Sequence, residues 1–174
     1  LTDNTDILNP LVYAFSGFTT LTGGDLVDTF NITSSIDTIN AGIGADDINV
    51  SGTNVTIAAI NTGDDADAID VLGTGHDITA INSGDANDTI TLVTIGSTTI
   101  DGGGGAGDTL EYTENNYVLD LSTANISGIE TFTANGINNT FQSGDTANVW
   151  DIDGSNALTD NTDILNPLVY AFSG

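Results

Sequence analysis

Five aspartates recur through the middle of the chain, and each stands four residues after a glycine. The aspartates are Asp28, Asp46, Asp67, Asp88 and Asp108, and the glycines are Gly24, Gly42, Gly63, Gly84 and Gly104. Glycine permits the left-handed backbone of a tight turn and turns carbonyl oxygens inward, while the aspartate adds a carboxylate. Calcium prefers oxygen ligands of these two kinds. The spacing therefore indicates calcium-binding turns, with solvated turns that hold no metal as the alternative.

The acidic side chains have no basic partners in the sequence. Asp and Glu number 25, Lys and Arg number zero, and the formal net charge is −25. Such a charge opposes a compact state through self-repulsion, unless divalent cations bind among the carboxylates and become the largest local charges. The composition therefore favours calcium as a cofactor.

The missing cations also exclude classes of partner. Without Lys or Arg the chain has no cationic contacts for phosphate, which carry most non-specific affinity for nucleic acid. Nucleic acid and anionic membrane surfaces are therefore excluded as partners. The paired carboxylates Asp46-Asp47 and Asp64-Asp65 resemble an acid-base pair, but no cation accompanies them to bind an acidic substrate. We therefore expect that the protein is not an enzyme.

Apolar residues follow each aspartate at alternate positions, which predicts short strands with one buried face. The first apolar column is Phe30, Ile48, Ile69, Ile90, Leu110 and Phe141. Segments of about 18 to 21 residues with one turn and one strand cannot bury this face alone, so they must stack. We predict an all-β fold, a right-handed parallel β-solenoid with coils of that length. Residues 113–131 fall outside the repeat, and Phe132 begins a further coil.

A longer repeat surrounds the short one. Residues 1–17, LTDNTDILNPLVYAFSG, recur without change as residues 158–174. This identity predicts a tandem array, in which residues 1–157 form one continuous solenoid unit and residues 158–174 begin the next unit. We expect the two copies to occupy equivalent places along one axis.

The turn and strand pattern resembles the GGxGxDxUx nonapeptide of the calcium-binding β-roll proteins, the RTX family. AGIGADDIN at residues 41–49 carries the resemblance most fully. The resemblance implies that calcium lies between successive turns, with the five aspartates as carboxylate ligands and turn residues as carbonyl donors. The implied metal-binding residues are Asp28, Asp46, Asp67, Asp88, Asp108, Gly24, Gly42, Gly44, Gly63, Asp65, Gly84 and Gly104. The second glycine of the motif is present only at Gly44; Asp65 stands at the equivalent place in its own turn.

The chain also resembles the acidic β-strand repeats of giant bacterial surface proteins and filamentous adhesins, through FSGFTTLTGGDLVDTF and ISGIETFTANGINNTF. This resemblance implies a secreted, extracellular or cell-surface protein that is structural: a repeat of a filament, surface layer or adhesin stalk whose partners are further copies of itself. The alternative is an adhesin module that binds a glycan or another cell.

His76 is the single histidine, and it lies in the Gly-rich turn GTGHD. A zinc site or catalytic dyad would need a second His or a Cys, and the turn contains neither. We therefore expect a solvent-facing turn residue at His76, while Asp77 ends a turn that is a candidate for a second metal site.

Overall fold

The computed structural model describes residues 18–120, 125–135, 139–142, 150–152, 157–160 and 168–171. These residues form seventeen strands. In chain order the strands are β1 (Thr20–Thr22), β2 (Thr29–Ile32), β3 (Ile36–Ile43), β4 (Asp47–Val50), β5 (Thr56–Asp64), β6 (Ala68–Val71), β7 (Asp77–Gly84), β8 (Thr89–Leu92), β9 (Thr99–Asp101), β10 (Thr109–Tyr112), β11 (Val118–Asp120), β12 (Ile126–Ser127), β13 (Thr131–Ala134), β14 (Thr140–Gln142), β15 (Trp150–Ile152), β16 (Ala157–Asp160) and β17 (Leu168–Ala171). Within the described ranges no helix is long and apolar enough to cross a membrane.

Twelve strands build two six-stranded parallel sheets. One sheet has the order β1-β3-β5-β7-β9-β12 and the other has β2-β4-β6-β8-β10-β13. Because the chain alternates between the two sheets and every neighbouring pair is parallel, each coil contributes one strand to each sheet. The fold is a β-solenoid, and the prediction of stacked parallel coils is confirmed.

The coils stack in register, so that equivalent side chains lie above one another. Ile48 pairs with Phe30 on one side and with Ile69 on the other, and Ile69 pairs with Ile90. Ile48, Ile69 and Ile90 are fully buried, as the alternation predicts. The facing sheet supplies a second buried column at Ile39, Ile60, Ile81 and Ile100. The core therefore lies between the two sheets and runs along the solenoid axis.

The last part of the predicted apolar column is wrong. Leu110 pairs with Phe132 and not with Phe141, which pairs with Leu119 in a separate two-stranded parallel sheet, β11-β14. Residues 113–131 also belong partly to the solenoid, because β12 joins the first sheet. The sequence frame failed because this coil contains an additional strand, β11, between the strands of the two main sheets.

The three strands nearest the carboxyl end, β15, β16 and β17, form an antiparallel sheet. β16 and β17 lie largely within the second copy of the duplicated sequence. The first copy, residues 1–17, lies outside the described residues. The boundary after residue 157 and the structural equivalence of the two copies therefore stay predictions.

Candidate metal centre

The predicted turn glycines meet at one corner of the solenoid. Gly42 pairs with Gly63, and Gly63 pairs with Gly84. Their φ angles are 119°, 114° and 101°, in the region that disfavours side chains. A Cβ atom on Gly63 would lie 1.8 Å from the carbonyl oxygen of Gly42, so backbone also occupies the space that a side chain would need. Gly24 extends this stack, because its carbonyl oxygen accepts a hydrogen bond from the Ile43 N–H at 2.9 Å.

The placement of Gly104 in this stack is wrong by one residue. A Cβ atom on Gly103 would meet the Gly84 carbonyl oxygen at 2.0 Å, whereas Gly104 pairs with Asp85. The turn before Asp108 contains one more residue than the turn before Asp88, and the run of four glycines concealed this insertion from a count of spacings.

The position of the second glycine of the motif also has a left-handed backbone. Gly44 has a φ of 119°, and Asp65 and Ala86, at the equivalent position in the next two coils, have φ angles of 72° and 80°. Left-handed backbone costs a residue with a Cβ atom about 1–2 kcal/mol. The turn therefore keeps its conformation where the glycine of the motif is absent, at a cost in stability.

The five predicted aspartates form a continuous hydrogen-bonded row, here called the aspartate ladder (Asp28, Asp46, Asp67, Asp88 and Asp108). The backbone N–H of each aspartate donates to the Oδ1 atom of the aspartate in the next coil, at 2.7–2.8 Å. The row ends where the Asp108 N–H donates to Glu130 Oε2 at 2.9 Å. These bonds connect coils of 18, 21, 21, 20 and 22 residues. One oxygen of each carboxylate from Asp46 to Asp108 thus has a structural role in joining coils.

The other carboxylate oxygen has no partner in four coils. The Oδ2 atoms of Asp46, Asp67, Asp88 and Asp108 are buried and make no hydrogen bond. In the first coil, by contrast, Asp28 Oδ2 accepts a hydrogen bond from the Gly24 N–H at 2.7 Å. A buried oxygen without a donor is costly, more so when it carries charge. The row therefore presents a line of carboxylate oxygens that a cation or a proton would stabilise.

Burial raises the pKa of these carboxyls. Desolvation is the main cause of a pKa of about 6 at both Asp46 and Asp88, and the hydrogen bond from the preceding aspartate's N–H opposes the shift only partly. The negative charge of Asp67 raises both pKa values further. Desolvation also raises the pKa of Asp67 and Asp108. Each carboxyl is therefore easier to protonate in the fold than in water.

Two buried hydroxyls beside the aspartate ladder were missed in the sequence. Thr62 and Ser83 precede the stacked glycines Gly63 and Gly84 and are both fully buried. The Thr62 hydroxyl lies beside the Asp67 carboxyl but donates its proton to the Ser83 carbonyl oxygen at 2.6 Å, which leaves Asp67 Oδ2 without a donor. Their signal in the sequence is a polar residue at an inward-facing position of a strand, directly before the turn glycine.

The oxygen atoms that converge at this corner suit a hard cation, but few of them belong to side chains. A Cβ atom on Gly23 would lie 2.2 Å from the Ala41 carbonyl oxygen and 2.3 Å from Asp28 Oδ2, so a backbone oxygen and a carboxylate oxygen converge there. The same kind of pair, the Ala86 carbonyl oxygen and Asp108 Oδ2, converges beside Gly105. Among the described residues no three His, Cys, Asp or Glu side chains are grouped to hold a metal. A cation at this corner would therefore take most of its ligands from the backbone.

His76 departs from its predicted place. Both ring nitrogens are buried and without hydrogen-bond partners, so the expectation of a solvent-facing side chain is wrong. Thr56 pairs with Asp77, which places His76 one coil beyond the buried Val55. The imidazole faces inward because it continues this apolar column. The neighbouring Asp77 is exposed.

No protein-family model, curated protein or solved structure matches the chain.

Proposed function

We propose that this chain is a structural repeat of a secreted extracellular filament, surface layer or adhesin stalk, in which calcium joins successive solenoid coils. The observation that carries the proposal is the aspartate ladder, in which four successive coils each bury one carboxylate oxygen that has no partner. In a chain with a net charge of −25 and no Lys or Arg, only a proton or a cation from solution can neutralise these oxygens. Near pH 7.5, at millimolar extracellular calcium, we expect the cation.

Asp46, Asp67, Asp88 and Asp108 would hold the ions through Oδ2, together with backbone carbonyl oxygens of the turns. Calcium would supply positive charge that offsets carboxylate repulsion and would connect one coil to the next. Because hydrogen bonds along the Oδ1 atoms already set the register of the coils, the ions would rigidify the stack without changing its architecture. This arrangement suits a protein whose task is to keep an extended shape under load.

The parallel in-register stack supports the mechanical part of the proposal. A solenoid grows by adding coils along one axis, and each coil contacts only its neighbours. The duplicated 17-residue sequence supports further units in the same polypeptide. A rod built in this way has no need of a reaction centre.

Thermal unfolding of the whole chain tests the calcium part. We expect calcium at 100 times its Kd to stabilise the fold by about 2.7 kcal/mol, because it binds only the folded state. Calcium should raise the Tm measured by circular dichroism, and a chelator should reverse the rise. Magnesium is the matched control, because it demands near-ideal octahedral geometry and gives up water reluctantly. An identical Tm with chelator and with calcium would contradict calcium binding.

Electron microscopy of a polypeptide with several 157-residue units tests the mechanical part separately. We expect a straight rod whose length increases in proportion to the number of units. Compact particles of constant length would contradict the structural role even if calcium were bound. The two parts of the proposal can therefore fail independently.

A further inference from the structure

We propose that residues 11–14 add a strand to the open edge of β2 and cover the apolar end of the solenoid that β1 and β2 form. The inference rests on the proposed function in one respect: the same sequence, repeated as residues 168–171, would then stand at each boundary between units. β1 and β2 are the outermost strands of the two six-stranded sheets, and among the described residues each pairs on one side only. An open strand edge of this kind is a template for a further strand.

The core side chains of the first coil are incompletely covered at this end. Leu21 and Phe30 are only partly buried, whereas their partners in the second coil, Ile39 and Ile48, are fully buried. Phe18, at the start of the first coil, is 62% exposed. Exposed apolar side chains beside an open strand edge mark a surface for a partner. The partner must therefore supply both apolar side chains and a backbone edge.

The length of the first coil identifies residues 11–14 as this partner. Asp28 and Asp46 occupy equivalent places in the first two coils and are 18 residues apart. β1 and β3, like β2 and β4, pair at the same offset. One step of this length backwards from β2 falls on residues 11–14. Residues 15–17 then match residues 33–35, which connect β2 to β3.

The second copy of the duplicated sequence supports this assignment. Residues 168–171 repeat the sequence of residues 11–14 and form strand β17. β17 lies beside β13, which is the outermost strand of the second sheet at the other end of the solenoid. The same four residues therefore form a strand next to one end of this sheet, and β2 is the outermost strand at the opposite end.

Pro10 suits the place that the 18-residue step gives it. It falls one coil before Asp28, at the position whose backbone N–H donates to the aspartate of the next coil. Proline has no N–H to donate, and it is tolerated at the first residue of a strand. The additional strand would therefore cover the core without extending the aspartate ladder, which would begin at Asp28.

The competing occupant of this edge is the second copy from another chain, residues 168–171. Residues 15–17 tether the first copy directly to the first coil, which gives it a high effective concentration at β2. Association of two chains would lose translational and rotational freedom, and it would bring together two molecules that each carry a net charge of −25. The copy in the same chain is therefore favoured.

Paired cysteines test the register directly, because the chain contains no cysteine of its own. Tyr13→Cys combined with Asn31→Cys would place the two Cα atoms about 4.8 Å apart on neighbouring strands, within the range of a disulfide. Under mild oxidation of the whole chain in calcium we expect an intrachain disulfide, measured as a loss of free thiols with a monomer band on a non-reducing gel. Asn31→Cys combined with Asn49→Cys is the positive control, because these two residues pair in the fold.

Two further pairs make each outcome decisive. Tyr13→Cys combined with Asn49→Cys is the negative control, because positions two strands apart, about 9.6 Å, are too distant to bridge. Tyr170→Cys combined with Asn31→Cys tests the competing occupant. Interchain dimers from this pair, without an intrachain disulfide between positions 13 and 31, would replace the proposal by exchange between chains. No disulfide from either pair would overturn it and leave the end open.

Stability provides an independent test of which side chain faces the core. In the proposed register Val12 lies over Phe30, whereas the larger Tyr13 lies over the exposed Asn31 and faces outward. We expect Val12→Ser to lower the Tm of the whole chain by about 4 °C or more and Tyr13→Ser to lower it much less. A larger loss from Tyr13→Ser would contradict the register. Failure of these tests would leave the calcium dependence of the Tm and the rod length unaffected, so this inference and the proposed function can fail separately.

Discussion

The backbone N–H of Asp46 donates to Asp67 Oδ1 at 2.7 Å, although 21 residues of sequence separate the two. The Oδ2 atom of the same Asp67 is buried and has no hydrogen bond. The two oxygens of one carboxylate therefore have separate roles: one joins adjacent coils, and the other is free for a proton or a cation. Substitutions that keep the first oxygen and change the second can separate these roles.

Asp67→Asn is such a substitution. The amide oxygen can still accept the Asp46 N–H, while the new amide N–H replaces the unpartnered oxygen and can donate to the Thr62 hydroxyl. In chelator we expect the free energy of unfolding to rise by about 1 kcal/mol, because a buried unpaired charge is removed. In calcium we expect the stabilisation by the ion to decrease. Urea unfolding in each condition measures both effects.

Asp70→Asn is the matched control, because it removes the same charge from the same coil at a partly exposed position of β6. It should change stability by less than about 0.5 kcal/mol in both conditions, as surface substitutions commonly do. If Asp67→Asn and Asp70→Asn respond equally to calcium, the ion stabilises through overall charge and does not bind at the aspartate ladder.

The raised pKa values predict how stability depends on pH in chelator. The pKa values of Asp46 and Asp88 are about 6 in the fold, against an ordinary value of 3.8. The folded state therefore binds more protons than the unfolded state between these values, so the free energy of unfolding falls as pH rises. This contribution is fully present below about pH 4 and is lost above about pH 6, and it amounts to a few kcal/mol. Thermal unfolding from pH 4 to pH 7.5 measures it.

Calcium should flatten this trend near neutral pH, because protons and calcium compete for the same oxygens. With saturating calcium we expect the Tm to change little between pH 5 and pH 7.5, because the ion keeps the folded carboxyls deprotonated and the unfolded carboxyls, with an ordinary pKa of 3.8, are already deprotonated there. Asp46→Asn combined with Asp88→Asn should weaken the slope in chelator. A Tm that rises with pH in chelator would contradict the buried, unpaired state of these carboxyls.

The regular part of this fold could be predicted from the sequence because its coils have nearly constant length. Ile48, Ile69 and Ile90 lie in one column at spacings of 21 residues, and the alternation of apolar residues fixes which face is buried. The prediction failed at Gly104 and Phe141, where an inserted residue and an added strand change the coil. A single sequence shows a repeat but does not show how the backbone accommodates an insertion.

The candidate sites could be predicted in part for a similar reason. The row of aspartates follows from spacing, but their inward orientation and the unpartnered Oδ2 atoms depend on burial that no local pattern encodes. Thr62, Ser83 and Glu130 were missed because each is an unremarkable strand or turn residue until the coils are stacked. His76 was misplaced because a histidine among glycines is typical of exposed turns, whereas here it occupies the place of Val55.

The stacked isoleucines should be sensitive to truncation. Ile69→Ala removes a fully buried side chain that lies between Ile48 and Ile90, so we expect a loss of about 2–5 kcal/mol. Ile43→Ala is the control, since Ile43 is 47% exposed and should cost much less. Chemical unfolding of both variants in calcium measures the difference. Similar losses would contradict a core that lies between the two sheets.

Substitutions at the left-handed turn positions should lower stability where a glycine is replaced and raise it where a glycine is introduced. Gly63→Ala places a Cβ atom 1.8 Å from the Gly42 carbonyl oxygen at a φ of 114°, so we expect it to destabilise the fold by more than about 2 kcal/mol.

Ala86→Gly relieves a φ of 80° and should stabilise the fold by up to about 1 kcal/mol. The strain that is relieved exceeds the conformational entropy that glycine adds to the unfolded chain. The control is Ala80→Gly within strand β7, which should destabilise by about 0.5–1 kcal/mol because the backbone there is extended. Thermal and urea unfolding of the three variants decide the matter. If Ala86→Gly destabilises as much as Ala80→Gly does, the turn at Ala86 does not hold the left-handed conformation.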